Sequence, residues 1–180
     1  MDTYITKAMR LIESSTAGLS EQELVGSRDG KWSPAQVLEH LAKAFGGSAK
    51  AFELQLQAGQ LQPMRALSIK DRVGIFIVCT LGYFPEGRKA PSMTIPSDSP
   101  EGFVVLHRIK ENLERTGRAL DESEKKWGSG VRIFTHPVLG PLTVPQWRKF
   151  HYVHTRHHMK QVVERAAENR ATLLAAAQRS

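Results

Sequence analysis

TVPQWRKFHYVHTRHHMKQVV, residues 143–163, reads as the start of a helix with two different sides. Thr143 can cap, Pro145 suits the first turn and Gln146 sits where a capping-box partner belongs. At 100° per residue, His151, His154 and His158 share an arc of about 60°, and Trp147 and Val162 extend the same stripe. Lys149, Arg156 and Lys160 lie opposite, Arg148 falls to one side, and His157 lies off the centre of the stripe. A helix in a bundle turns its charged side to water, so the histidine stripe is expected to face inward. From Val131 to Val163 there is no Asp or Glu, while Arg132, Arg148, Lys149, Arg156 and Lys160 all lie there. That stretch is expected to carry a positive field of its own.

The same start signal recurs upstream in WSPAQVLEHL, residues 32–41, with Ser33, Pro34 and Gln36 in the corresponding places. Helical spacing dominates the rest of the chain, and β-branched alternation is almost absent. The pattern predicts helices near 3–16, from Ser33 to about Gln57, from about Ser68 to Tyr83, over 101–126, and from Thr143 to about Ala175. Gly18–Gly30 reads as a polar link, PEGRKAPSMTIPSDSP (85–100) as a loop, and WGSGVRIFTHPVLGPLTVP (127–145) as loop for most of its length. These helices and modest connections predict an all-α chain folded as one domain over 1–180, an antiparallel four-helix bundle with long loops.

The 180 residues are enough to bury a core without staples. The longest apolar run, VGIFIVCTLGYF (73–84), is 12 residues; a membrane span needs ~20, so this segment is expected to be a buried core helix. One cysteine, Cys79, allows no internal disulfide, and its apolar setting predicts an inert buried thiol. With no signal-peptide pattern, the expectation is a cytoplasmic protein. The net charge of +7 favours anionic partners. A nucleic-acid binder is the alternative class this charge raises, and a noncatalytic helical-bundle interaction protein is another. No nucleic-acid motif is present, aromatic residues are only 7% of the chain, and nucleic acid is not the expected partner.

Residues four apart on a helix lie ~5–6 Å from each other, so an HxxxH pair such as His154 and His158 can converge on one ion. A third ligand has to come from another helix, and His40, at the edge of the apolar arc of its helix, is the best candidate. A lone histidine on such a face is more often a core residue with a satisfied hydrogen bond. Three imidazoles aimed at one interior favour an ion, because each buried unsatisfied polar group costs about 1–3 kcal/mol. Ala44, Gly47 and Ala51 follow His40 on nearly the same line, and Gly46 adjoins them. Missing side chains there leave either a cavity beside the imidazole or room for close helix–helix contact.

WSPAQVLEHL and HPVLGPLTVPQWRKFHYVHTRHHMKQ (136–161) together resemble the DinB-like (YfiT/DinB) superfamily of metal-binding four-helix bundles, in particular an uncharacterised subgroup. The resemblance follows helix order over most of the chain, with its specific motifs confined to these two stretches. It implies that His40, His154 and His158 hold a divalent ion, zinc foremost, with nickel or iron as alternatives. Gln161 matches a glutamine that often follows the pair, and a hydrogen bond to a ligand is one option for it. The resemblance further implies a metal-dependent enzyme, either a transferase using a low-molecular-weight thiol or a hydrolase, with homodimers common among relatives, and the lack of nearby carboxylates favours a small anionic substrate. His151 could act as a base or substrate contact, with a structural hydrogen bond the stronger expectation. His136 could approach the site from its loop, with packing of that loop the stronger expectation, and His107 has no partner the sequence reveals.

Overall fold

The computed structural model describes residues 3–27, 30–85, 87 and 89–179. The described residues form six α-helices and one small hairpin in the order α1 (Thr3–Thr16), α2 (Glu21–Val25), α3 (Pro34–Ala58), α4 (Ile69–Ile75), α5 (Gly102–Trp127), β1 (Arg132–His136), β2 (Gly140–Thr143) and α6 (Val144–Ala177). A π-helical turn, Phe76–Thr80, prolongs α4, and a 3-10 turn covers Ser92–Thr94. Both capping boxes read from the sequence are present: Ser33 with Gln36 starts α3, and Thr143 with Gln146 starts α6. Left-handed Gly59 ends α3, as glycine does at many helix C-termini.

The sequence of α1 places Ile5, Ala8, Met9 and Ile12 on one buried stripe, and this helix lies against α6, where Tyr4 meets Tyr152 at 5.7 Å. α3 packs closely on α5, where Asn112 Nδ2 donates to the Ala42 carbonyl and Thr116 Oγ1 to that of Phe45. Against α6, α3 runs antiparallel: Phe45 meets His151 at 5.2 Å and Phe52 meets Trp147 at 5.1 Å. α6 is therefore covered on several sides. Arg148 is buried and donates to Asp121 and Glu124 of α5, at 2.6 Å each. The positive field expected over 131–163 is thus partly neutralised by a neighbouring helix, which a count along one segment cannot register.

Three expectations need correction. The glycine- and proline-rich segment 127–145 is not mostly loop, because β1 and β2 pair antiparallel within it. Its tight end is held by His136, whose Nδ1 accepts from the Val138 and Leu139 amides. At Gly140 (φ 75°) any Cβ would stand 2.6 Å from the Asp71 carboxyl, so glycine lets the hairpin settle on α4. The polar link Gly18–Gly30 contains α2, started by a Ser20–Glu23 capping box and tied to α6 by Asn169 Nδ2, which donates to the carbonyls of Glu23 and Gly26. The segment 73–84 is not a buried core helix. Ile75 and Val78 face the core, while Val73, Phe76, Leu81 and Tyr83 are exposed. Only one side of this segment has a neighbour, so length and hydropathy overstate its burial. The chain is predominantly helical, as expected, with the hairpin added. No helix among the described residues is long and apolar enough to cross a membrane.

Candidate metal centre

His40 sits in the second turn of α3, and its surroundings begin with a loop clamped to that helix. Gln36 Nε2 donates to the carbonyls of Ser97 and Asp98, Lys43 Nζ donates to that of Ile95, and Glu39 accepts from the Ser97 amide and hydroxyl. Burial of Glu39 opposes its ionisation, but the Ser97 groups and Lys43 outweigh that and lower its pKa. The clamp brings the Thr94 carbonyl to 3.0 Å from His40 Nδ1. A carbonyl only accepts, so Nδ1 carries the proton and Nε2 of the neutral ring is a bare lone pair.

His158 is set the same way from α6. Its Nδ1 donates to Gln161 Oε1 at 2.9 Å, and the Gln161 amide nitrogen reaches His157 Nε2 at 3.4 Å. His154 is held between two phenyl rings, Phe84 at 4.9 Å and Phe150 at 5.3 Å, both nearly parallel to it. Its Nε2 lies 3.3 Å from His40 Nε2 and 3.0 Å from His158 Nε2. The three rings therefore converge through the same atom type, and the ligand atoms all lie within 4.8 Å of one another.

Such a cluster is poorly satisfied by its own protons. His154 can place one proton on Nε2 and give it to only one neighbour, leaving lone pairs facing each other. Protonating a ring to supply the cation is opposed by burial. Desolvation pushes His158 down to about 3, lowers His154 well below its ordinary value, and lowers His40 despite the Thr94 carbonyl. Nitrogens ~2.0–2.1 Å from one tetrahedral ion stand about 3.3 Å apart, close to the two distances that His154 Nε2 makes here. His40, His154 and His158 can hold a metal ion.

Residues 8–165 match the model of DUF1569, a family described as proteins of unknown function. The chain belongs to the DUF1569 family. No curated protein and no solved structure matches it.

In this DUF1569 chain the remaining histidines separate by role. His151 is fully buried against Trp147, Phe45 and Phe150, and neither ring nitrogen has a partner among the described residues. Its expected structural hydrogen bond is therefore not formed among them, and burial pushes the ring down to about 3. His136 packs its hairpin as expected and also lines the cleft in front of the triad, with burial pushing it down to about 4. His107 has a partner four residues on, Glu111 at 3.3 Å, a spacing the sequence displays. Cys79 is half-buried, less than its apolar setting predicts, and burial pushes its thiol up to about 11.

The two readings of the glycines are each right once. A Cβ on Gly47 would meet nothing within 4 Å, and this residue lines the cleft; a Cβ on Gly46 would stand 2.9 Å from Asn112 Nδ2, at the contact with α5. Sequence reasoning missed Thr94, Phe84 and Trp32. Trp32 stands 5.4 Å from His40 and begins the very motif that contains it, but a loop carbonyl such as that of Thr94 leaves no side-chain signal.

Proposed function

We propose that this protein is a metal-dependent enzyme of the DinB-like type, a hydrolase or a transferase using a low-molecular-weight thiol, with an anionic small-molecule substrate. The four longer helices, α1, α3, α5 and α6, are read here as the bundle of that superfamily, carrying the ion on α3 and α6. The observation that carries the proposal is the meeting of three imidazole Nε2 atoms, two of them fixed as bare lone pairs by Thr94 and Gln161. Structural zinc sites are normally closed by four protein ligands, so a three-histidine set that opens on a cleft favours catalysis. A divalent ion bound there, zinc foremost, would supply a Lewis acid that polarises a water, a thiol or a substrate oxygen.

The chain's own groups do the rest. Thr94 and Gln161 hold the two imidazoles in the ligating tautomer, as hydrogen-bonded partners of metal-bound histidines do. Phe84 and Phe150 keep water from the His154 ring. Lys31, Lys70, Lys89 and Arg165 line the cleft and favour an anionic group. Protein purified without an affinity tag should contain about one divalent ion per chain, lost in His154→Ala, and any hydrolase or thiol-transfer activity should vanish with chelator and return with metal. Unchanged metal content in His154→Ala would remove the basis of the proposal.

A further inference from the structure

The triad stands part-way along a cleft of about 1320 Å³, larger than the ~300–1,000 Å³ usual for a small-molecule pocket. Because α3 and α6 run antiparallel, the cleft has two arms that leave the histidines in opposite directions. One follows α3 from His40 past Ala44 and Gly47 to Ala51, about 16 Å at 1.5 Å per residue. Phe134 and Val138 of the hairpin and Val73 of α4 line it, with Lys70 exposed beside them. The open space above Gly47 shows that its floor is a groove and not a helix contact. The other arm follows α6 from His158 through Gln161, Glu164 and Arg165 to Glu168, about 15 Å, with Lys31 and Trp32 facing it. Arg165 is anchored by a single N–H on the Trp32 carbonyl at 2.7 Å, and Glu164 and Glu168 stand near enough to act on its charge.

The arms differ in chemistry: one is apolar with a floor of small residues, and the other sets two carboxylates beside a guanidinium and an ammonium. We propose that the site takes an elongated zwitterionic amphipath. An amino-acid-type head lies in the α6 arm, its carboxylate toward Arg165 and Lys31 and its ammonium toward Glu164 and Glu168. A single apolar chain passes the histidines and lies over Gly47 and Ala51. This replaces the net anion of the proposed function by a zwitterion whose carboxylate is the anionic group, and it rests on that reading only for the cleft being the working site.

The test is calorimetric titration of the full chain with 2-aminohexadecanoic acid, hexadecanoic acid and hexadecylamine, each delivered from cyclodextrin and long enough to run from Arg165 past the histidines to Gly47, and with 2-aminobutanoic acid. The long amino acid should bind about tenfold more tightly than either singly charged chain, and the short amino acid more weakly still. Gly47→Leu, which has room for its side chain, should keep its melting temperature and lose about tenfold in affinity for the long amino acid. Glu164→Gln with Glu168→Gln should bring the long amino acid down to the affinity of hexadecanoic acid. Equal binding of the three long probes overturns the inference, as does unchanged binding in Gly47→Leu. Zinc uptake is measured in parallel by equilibrium dialysis of the wild type and His154→Ala. Probe binding without zinc uptake overturns the metal reading alone; zinc uptake with no binding of the long amino acid overturns this inference alone.

Discussion

At the scale of the residue, the centre depends on which ring nitrogen carries the proton. Gln161 fixes His158 through an amide oxygen that also orients the glutamine's own nitrogen toward His157. Gln161→Leu should therefore weaken zinc binding about 10–100-fold with little change in the fold, as measured by competition with a chelating indicator. His151 makes a different case. Its folded ring is pushed down to about 3 from an ordinary 6.5, so between those values the unfolded chain binds the extra proton. Stability contributed by keeping this ring neutral is present above about pH 6.5 and drains away as the pH falls, by about 1.4 kcal/mol per pH unit. Urea unfolding from about pH 7 to 5 should show His151→Phe at least as stable as the wild type at the upper end and less sensitive to acid. A large loss of stability with unchanged acid dependence would show instead that the imidazole is hydrogen-bonded. The triad histidines were legible because helical spacing and apolar neighbours put them on inward faces. The orphaned state of His151 was not legible, since it depends on which aromatic rings of α3 and α6 meet it.

At the scale of the element, local chemistry was legible wherever it was self-contained. S-P-A-Q and T-V-P-Q announced α3 and α6, and the closing Gly59 sits one residue past the end of α3. S-E-Q-E at 20–23 carries the same signature and marks α2, a five-residue helix too short to show a period. The hairpin was hidden because its strands are short and irregular, with a register break between Arg132 and Phe134. Its turn is held locally by His136, but its seat on α4 at Gly140 is a contact that no local pattern contains. On α3, two adjacent glycines separate packing from cavity. Gly47→Ala should stabilise the protein by up to ~1 kcal/mol through helix propensity. Gly46→Ala should lower the melting temperature, because its Cβ would displace the Asn112 amide from the Ala42 carbonyl. Thermal unfolding of the two variants side by side checks both signs.

At the scale of the whole molecule, His40 and His154 lie 114 residues apart in the chain, on helices that a bound ion would fasten together. An ion that binds only the native state stabilises it by about 2.7 kcal/mol at a hundredfold excess over Kd. For a domain of this size that corresponds to a rise in melting temperature of about 5–10 °C. Zinc should produce that rise in the wild type, chelator should reverse it, and His40→Ala should show neither. The pairing of α3 with α6 was legible in outline from their inward faces. The cleft's extent was not, because it is bounded by the hairpin and by Pro85, Gly87 and residues from Lys89 to Thr94, whose places no periodicity reveals.

The strap of Gln36, Glu39, Lys43 and His40 across residues 94–98 has a kinetic consequence. The peptide oxygen that sets His40 belongs to Thr94, at the end of the short turn that starts this loop, so lifting the loop frees the ring to shift its proton and let go. The residence time of a captured ion would then follow how often that loop breathes, more than the strength of any bond to nitrogen.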